Sequence, residues 1–293
     1  MKKFSQSRQM MGTDIILDIY YQQKETVLFL DLFEECFSEF NRIVKKFTRF
    51  DNSSELSNLN ANSGKFVKVT DEFYNLLFYA YKLHVKTNGL FDPSVIDYLE
   101  IIGYGIGGKG KTEHNFCSDD EIINRLKERS LCRPKFAKTI FDERRKAVKL
   151  PEGCRIDLGA IGKGYAIDCA HAKILNTCQN RNIAFLINAG GDIRVHSSSI
   201  KSHWVIELKT KEKVLGYTQL QADKSICSSG SWVRKIGKFH HIINPTDGMS
   251  INKYTTSFCK ADNAITADTW ATILFLGGEK FVDDSMDIEF IVV

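Results

Sequence analysis

Residues 157 to 168 read Asp-Leu-Gly-Ala-Ile-Gly-Lys-Gly-Tyr-Ala-Ile-Asp, placing three glycines and a lysine just after an apolar stretch. Main-chain N–H groups in such a turn can approach an anion, which Lys163 would then neutralise. Residues 266 to 272, Thr-Ala-Asp-Thr-Trp-Ala-Thr, put Asp268 and Thr272 at i and i+4, on one helix face. Both offer hard oxygen ligands of the kind that Mg²⁺ takes alongside phosphate oxygens. The carbonyl of Ala160, ahead of a helix expected from about 162 to 179, would be free to join them. The two segments together read as a magnesium-held phosphate site. It is not a Walker motif, because the G-x-x-x-x-G-K-[ST] spacing is absent. Each piece also has a plainer reading: Asp268 as a favourable charge in the first turn of a helix, and the glycines as a strand-to-helix turn carrying a surface lysine.

Two further clusters could face a ligand. Asn188-Ala-Gly-Gly-Asp192 ends an apolar strand with consecutive glycines, as a chain does where a ligand lies across it or where a β-bulge forms. His240-His241-Ile-Ile-Asn-Pro follows a strand and closes in a proline turn, so one imidazole can be held at the mouth of a site. Chemistry alone does not choose between the two histidines.

The elements that must position these groups follow from periodicity. Residues 14 to 21 alternate as a strand, and 26 to 47 carry apolar residues at helical spacing. The polar stretch 51 to 64 is a loop or short helix. Thr70 or Asp71 caps a further helix that Asn88-Gly89 terminates. The glycine-dense run after 100 reads as a mobile loop or connector, and SDDEIINRLKER from 118 as a capped helix. FAKTIFD and AVKL read as strands. AFLINAGGDIRVHS reads as one strand, followed by WVIELKT, YTQLQAD and SICSSGSWVRKIGKFHHIINP as an antiparallel series. A last helix over about 263 to 277 and a terminal strand EFIVV complete the chain. Strands punctuated by helices without strict βα alternation predict an α+β fold. No internal repeat or linker is visible, so residues 1 to 293 are expected to form a single domain.

Composition narrows the classes. With 43% hydrophobic residues in 293, the chain can bury a full core without disulfides or metal staples. Forty basic against 36 acidic side chains leave +4, too small and too scattered to argue for nucleic acid. The basic runs Lys45-Lys46 with Arg49, and Arg144-Arg145-Lys146, are short and read as solvated faces. Eight cysteines show no C-x-x-C pair or zinc spacing, as expected of reduced thiols. No signal peptide or transmembrane helix is visible, and the expectation is a cytoplasmic enzyme without membrane insertion.

Taken in order, Met11-Gly-Thr13, Arg49-Phe50-Asp51 with Ser54-Glu-Leu-Ser57, Gly89-Leu-Phe-Asp-Pro93, the 157 to 165 segment, Asn188-Ala-Gly-Gly-Asp-Ile193, Ser228-Ser-Gly230, His241-Ile-Ile-Asn-Pro245 and the 266 to 272 segment resemble the motif series of the ApbE family. That family comprises the FAD:protein FMN transferases. The resemblance spans 11 to about 278. It implies a T-fold-like α+β architecture with mixed and antiparallel sheets and packed helices. It also implies binding of FAD and Mg²⁺, cleavage of the FAD pyrophosphate, and transfer of FMN to a threonine or serine of a target flavoprotein with release of AMP. The acceptor would lie in a D-x-x-[ST]-G-A-[ST]-like sequence. By the same resemblance, Ala160 (through its carbonyl), Asp268 and Thr272 would ligate the metal. Met11, Phe50, Leu90, Phe91, Asp92, Asp157, Lys163 and Ile243 would line the FAD site, with Phe50 and Met11 offering apolar surface to a ring. His241 resembles the catalytic histidine and could act as a general base.

Departures set the alternatives. The usual H-I-I-D-P-R-T-G reads here His-Ile-Ile-Asn-Pro-Thr-Asp-Gly, so Asn244 replaces an aspartate and the arginine is absent. If that aspartate orients the histidine, Asn244 lowers the basicity of His241 and slows transfer. Phe50 stands where tyrosine is common. The rival readings are an FAD pyrophosphatase yielding FMN and AMP, and a non-catalytic flavin-binding protein.

Overall fold

The computed structural model describes residues 1–22, 26–105, 118–178, 181–232 and 235–293. The chain opens with β1 (Lys2–Met10) and β2 (Thr13–Tyr21), then α1 (Thr26–Phe47), α2 (Glu55–Ala61), β3 (Val67–Lys68), α3 (Asp71–Lys86), α4 (Ile96–Ile101) and α5 (Asp119–Cys132). It continues through β4 (Ile140–Asp142), β5 (Ala147–Lys149), α6 (Gly159–Thr177), β6 (Ala184–Ala189), β7 (Asp192–His196), β8 (His203–Lys209) and β9 (Val214–Gln221). It closes with β10 (Ser225–Gly230), β11 (Lys235–Ile236), β12 (Phe239–His240), β13 (Thr256–Ala261), α7 (Ala264–Phe275) and β14 (Glu289–Val292). The fold is α+β, as the absence of βα alternation predicts.

Seven strands form one antiparallel sheet in the order β1-β2-β6-β7-β10-β13-β14. Side chains alternate between its faces. Ile15, Leu17 and Ile19 of β2, Phe185 and Ile187 of β6, and Cys227 and Cys259 lie in the core shared with α1, α6 and α7. Their alternates, among them Ala184, Val195, Ile226 and Phe258, pack beneath Trp204, Leu208 and Leu220 of the β8–β9 ribbon. The seven described cysteines are unbridged, and burial pushes the thiols of Cys36 and Cys259 up to about 12.

Several elements differ from the sequence expectation. β1 is polar and exposed along most of its length, so it carries no apolar alternation; its pairing with β2 makes it a strand. FAKTIFD is a short 3₁₀ turn, Phe136–Lys138, followed by β4. β13, wholly buried except at Lys260, and the six-residue α4 were too short or too apolar to show a period. AFLINAGGDIRVHS is two strands. Gly190 and Gly191 have φ of 66° and 102° and form a two-residue hairpin loop between the paired Ala189 and Asp192. A Cβ at Gly190 would lie 2.3 Å from Thr13 Oγ1, so only glycine fits. A second two-residue turn, Met11-Gly12 with φ of 53° and 74°, joins β1 to β2 beside it. Both turns bring main chain to the same end of the sheet.

α6 starts at Gly159, three residues before the expected position. Its glycines stay helical because packing demands them: a Cβ at Gly164 would meet Ala264 O at 2.4 Å and Asp268 Cβ at 2.8 Å. Gly164→Ala therefore forces α6 and α7 apart. Overpacking of this kind costs ~1–3 kcal/mol, and a lowered urea midpoint for this variant is the expected result; an unchanged midpoint would show that the two helices have room to spare.

Candidate active site

The two glycine turns, the start of α6 and one face of α7 surround a cavity of about 240 Å³. Leu90, Phe91, Asp92, Asp157, Ala160, Lys163, His241, Ile243, Asp268 and Thr272 all line it. Met11 and Phe50 are not among the lining residues. Met11 occupies a left-handed turn position with its methyl toward Gly162. Phe50 is 46% exposed, with the Arg49 guanidinium 4.3 Å over its ring.

The start of α6 is built by Asp157. Its Oδ1 accepts the Gly159 N–H at 2.6 Å, satisfying an orphan donor of the helix N-terminus, and its Oδ2 accepts Arg49 Nε at 2.8 Å. Asp92 is equally committed: Oδ1 accepts the Ser94 N–H and Oγ–H, and Oδ2 pairs with Arg133 at 3.0 Å. Arg133 also donates to the carbonyls of Ser94 and Pro245, each at 3.0 Å. One buried guanidinium thus ties the 92–94 wall to the turn that follows His241. Arg133 had no sequence signal, since a lone arginine after a helix forms no motif.

Asp268 lies on the second turn of α7, so it is not the charge at the helix start. Asp168 of α6 takes that place, accepting the Ala264 and Ile265 N–H groups at 2.8 and 2.9 Å. Asp268 instead points back into α6, where its Oδ2 accepts the Gly164 N–H at 2.9 Å and its Oδ1 lies 3.4 Å from Lys163 Nζ. Lys163 also pairs with Asp192, whose Oδ1 accepts the Ser228 N–H at 3.1 Å. Asp192 is the polar partner that the Gly-Gly hairpin delivers. Burial works against the Lys163 ammonium, but the two carboxylates outweigh it and its pKa rises. Burial raises the Asp268 pKa, with Lys163 opposing and Asp192 adding to the rise.

The donor set fits a divalent cation. Two buried carboxylates against one ammonium leave an excess negative charge that a cation would neutralise. Ala160 lies inside α6, where its carbonyl would ordinarily accept from Gly164. Asp268 also accepts that N–H, at 2.9 Å, and Ala160 is among the residues that line the cavity. The sequence expectation placed this carbonyl before the helix, whereas α6 already begins at Gly159. Thr272, one turn beyond Asp268, holds its Oγ1 3.0 Å from Ser229 Oγ. All these donors are oxygens, as Mg²⁺ prefers.

The histidine pair is resolved by alternation along an extended segment. His240 is buried, with Nδ1 accepting the Ile242 N–H and Nε2 donating to Ile251 O at 2.7 Å. Both ring nitrogens are used, and the neutral ring is a structural anchor. His241, the next residue, therefore faces the cavity, where Tyr104 stacks on it with centroids 5.8 Å apart. Tyr104 belongs to the glycine-dense stretch read from sequence as a connector; its 106 to 117 portion lies outside the described residues. Asn244 spends its side chain within the turn, accepting from Thr246 N at 3.0 Å and donating to Asp247 at 3.2 Å.

Burial lowers the pKa of His240 and of His171 from the ordinary 6.5. As pH falls through 6.5, the unfolded chain takes up these protons first, so the stability that these imidazoles confer is present above that pH and lost below it. The urea midpoint is expected to drop between pH ~7.5 and ~5.5, less so in His240→Gln. An equal drop in that variant would assign the effect to other groups.

The profile of the ApbE family matches residues 11–291. A Klebsiella pneumoniae protein named FAD:protein FMN transferase is 26% identical over 290 residues, covering 94% of this chain and 84% of that protein. A Rhodobacter capsulatus protein of the same name is 26% identical over 234 residues, and the match takes in 77% of this chain but 43% of that longer protein. The crystal structure of the Thermotoga maritima ApbE protein superposes with a TM-score of 0.84 at 28% identity, covering 100% of this chain and 94% of the other. The flavin transferase ApbE from Vibrio cholerae, at 20% identity and a TM-score of 0.77, shares the fold. No described helix is long and apolar enough to cross a membrane. With a profile match running over nearly its whole length, the chain belongs to the ApbE family.

Proposed function

We propose that the protein is a Mg²⁺-dependent FAD:protein FMN transferase that joins FMN, through a phosphoester bond, to a threonine or serine of a target flavoprotein and releases AMP. The observation that carries this reading is the convergence of Lys163, Asp268, Thr272 and His241 on one cavity in a chain of the ApbE family. Curated relatives named for this activity support it.

In this reading Asp268, Thr272 and the Ala160 carbonyl hold Mg²⁺, which when bound withdraws charge from the diphosphate of FAD. Lys163 neutralises phosphate oxygens, and Asp192 keeps its ammonium aimed at the cavity. His241 accepts the proton of the acceptor hydroxyl as its oxygen attacks the FMN phosphorus. The bond from that phosphorus to the bridging oxygen breaks, and AMP carries away the electron pair. Tyr104 fixes the plane of the imidazole, and the Arg133 contact to Pro245 holds the turn behind it. Phosphoryl transfer asks mainly for such alignment and charge neutralisation.

Incubation with FAD and Mg²⁺, with and without a peptide carrying an acceptor threonine, tests the proposal. AMP release that requires the peptide, together with an FMN adduct on it by mass spectrometry, is expected. Equal AMP release without the peptide would make the protein an FAD pyrophosphatase, and bound FAD with no AMP in either arm would make it a flavin-binding protein.

A further inference from the structure

A polar seam runs between α6 and β7. Lys163 meets Asp192 at the cavity, Asp168 meets Arg194 at 2.5 Å midway, and His171 lies beside His196 at the far end, their ring centroids 6.2 Å apart. The spacing is a matter of geometry. From Lys163 to His171 a helix rises ~12 Å, and from Asp192 to His196 a strand rises ~13 Å. Alternation puts Asp192, Arg194 and His196 on the helix-facing side of β7.

At the far end a third group arrives from the β9–β10 turn. Asp223 Oδ1 lies 2.7 Å from His196 Nδ1 and 3.3 Å from His171 Nε2. The three ligand atoms all fall within 4.8 Å of one another. Two imidazole nitrogens converging on one carboxylate oxygen, from three separate elements, form an N₂O donor set. Zinc with such ligands at ~2.0–2.2 Å holds them roughly 3.3–3.5 Å apart in a tetrahedron. The His171 to Asp223 separation already meets that, and a small rotation of the half-exposed Asp223 opens the other. His171 Nε2 donates to the Val195 carbonyl at 3.2 Å, and a cation bound at that nitrogen would displace this proton. The Arg194 side chain donates from Nε to the Asp223 carbonyl at 3.2 Å and is neutralised by Asp168, so the nearby cation is already balanced. Imidazole with carboxylate suits a borderline ion rather than Mg²⁺.

We propose that His171, His196 and Asp223 bind a divalent cation of the zinc class, separate from the candidate active site, and that this ion clamps the far end of α6 to β7. The clamp fixes the register of helix on strand, and with it the pairing of Lys163 with Asp192 at the other end. The inference stands on this cluster alone and does not depend on the proposed transferase activity.

The test is zinc titration of the chelator-stripped full chain by calorimetry in saturating Mg²⁺, in a Cys132→Ser background that removes an exposed thiol. One equivalent bound at micromolar concentration or below, and a zinc-dependent rise in Tm, are expected. His196→Ala and Asp223→Ala should each weaken binding by more than ~100-fold, since loss of supporting contacts around a metal alone costs ~10–100-fold. Unchanged affinity in both variants, or uptake only at millimolar zinc, would overturn the proposal. Crystals of the unsubstituted protein grown with zinc give a readout independent of variant folding. An anomalous peak between the three side chains supports the site; its absence there leaves the cluster a hydrogen-bonded triad and ends the proposal.

Discussion

Asp268→Asn is expected to slow AMP release from FAD by ~10³-fold or more while leaving the fold intact. A bound divalent cation supplies several kcal/mol of charge stabilisation, and each ~1.36 kcal/mol is tenfold in rate. Asparagine retains an oxygen to accept the Gly164 N–H, so the contact between α6 and α7 survives. What it lacks is the charge. Lys163 keeps its pairing with Asp192, so the variant isolates the loss of a metal-holding carboxylate from the loss of the lysine. The measurement is the rate against Mg²⁺ concentration, with the urea midpoint as a control for folding. A rate within a few-fold of the unsubstituted protein at saturating Mg²⁺ would remove Asp268 from the metal assignment.

His241→Ala should lower transfer to the acceptor by ~10²–10⁴-fold, the range over which a positioned general base acts, with FAD affinity nearly unchanged. His241 stands at the cavity wall against Tyr104, and the anchoring bonds of that segment belong to His240 and Ser250. Truncating its ring therefore leaves the turn held. Flavin fluorescence reports binding, and acceptor mass reports transfer. Loss of FAD affinity in proportion to the rate would make His241 a binding residue instead. The companion His240→Gln, already expected to flatten the acid limb of stability, should change transfer little, because His240 is directed away from the cavity into the segment around Ile251.

Much of the site could be read locally. The i and i+4 spacing of Asp268 and Thr272 puts both on one helix face, and the glycines from 159 to 164 mark a close approach whatever the partner. Asn88-Gly89, both at positive φ, ends α3 as their residue types demand. Helix periodicity located α1 at Thr26–Phe47, and the polar pair Thr70-Asp71 located the start of α3, where Thr70 proves to be the cap. These features are legible because turns, caps and amphipathic faces are set by residues within a few positions of one another.

The rest depends on partners that are distant in the chain. Asp268 could as well have been the opening charge of its helix; Asp168 takes that place only because α6 lies across the end of α7. Gly-Gly at 190–191 signalled a bulge or a ligand contact, and the pairing of β6 with β7 made it a hairpin that delivers Asp192 to Lys163. The role of His240 as a buried anchor, the recruitment of Tyr104, and the buried Arg133 that braces Asp92 against Pro245 had no counterpart in local pattern. The sequence by itself therefore determined which side chains were available and which faces and turns they occupied. Which carboxylate meets which cation was decided by tertiary structure, because in a buried site a charge is stabilised by whatever the packing of separate elements brings within a few ångströms of it.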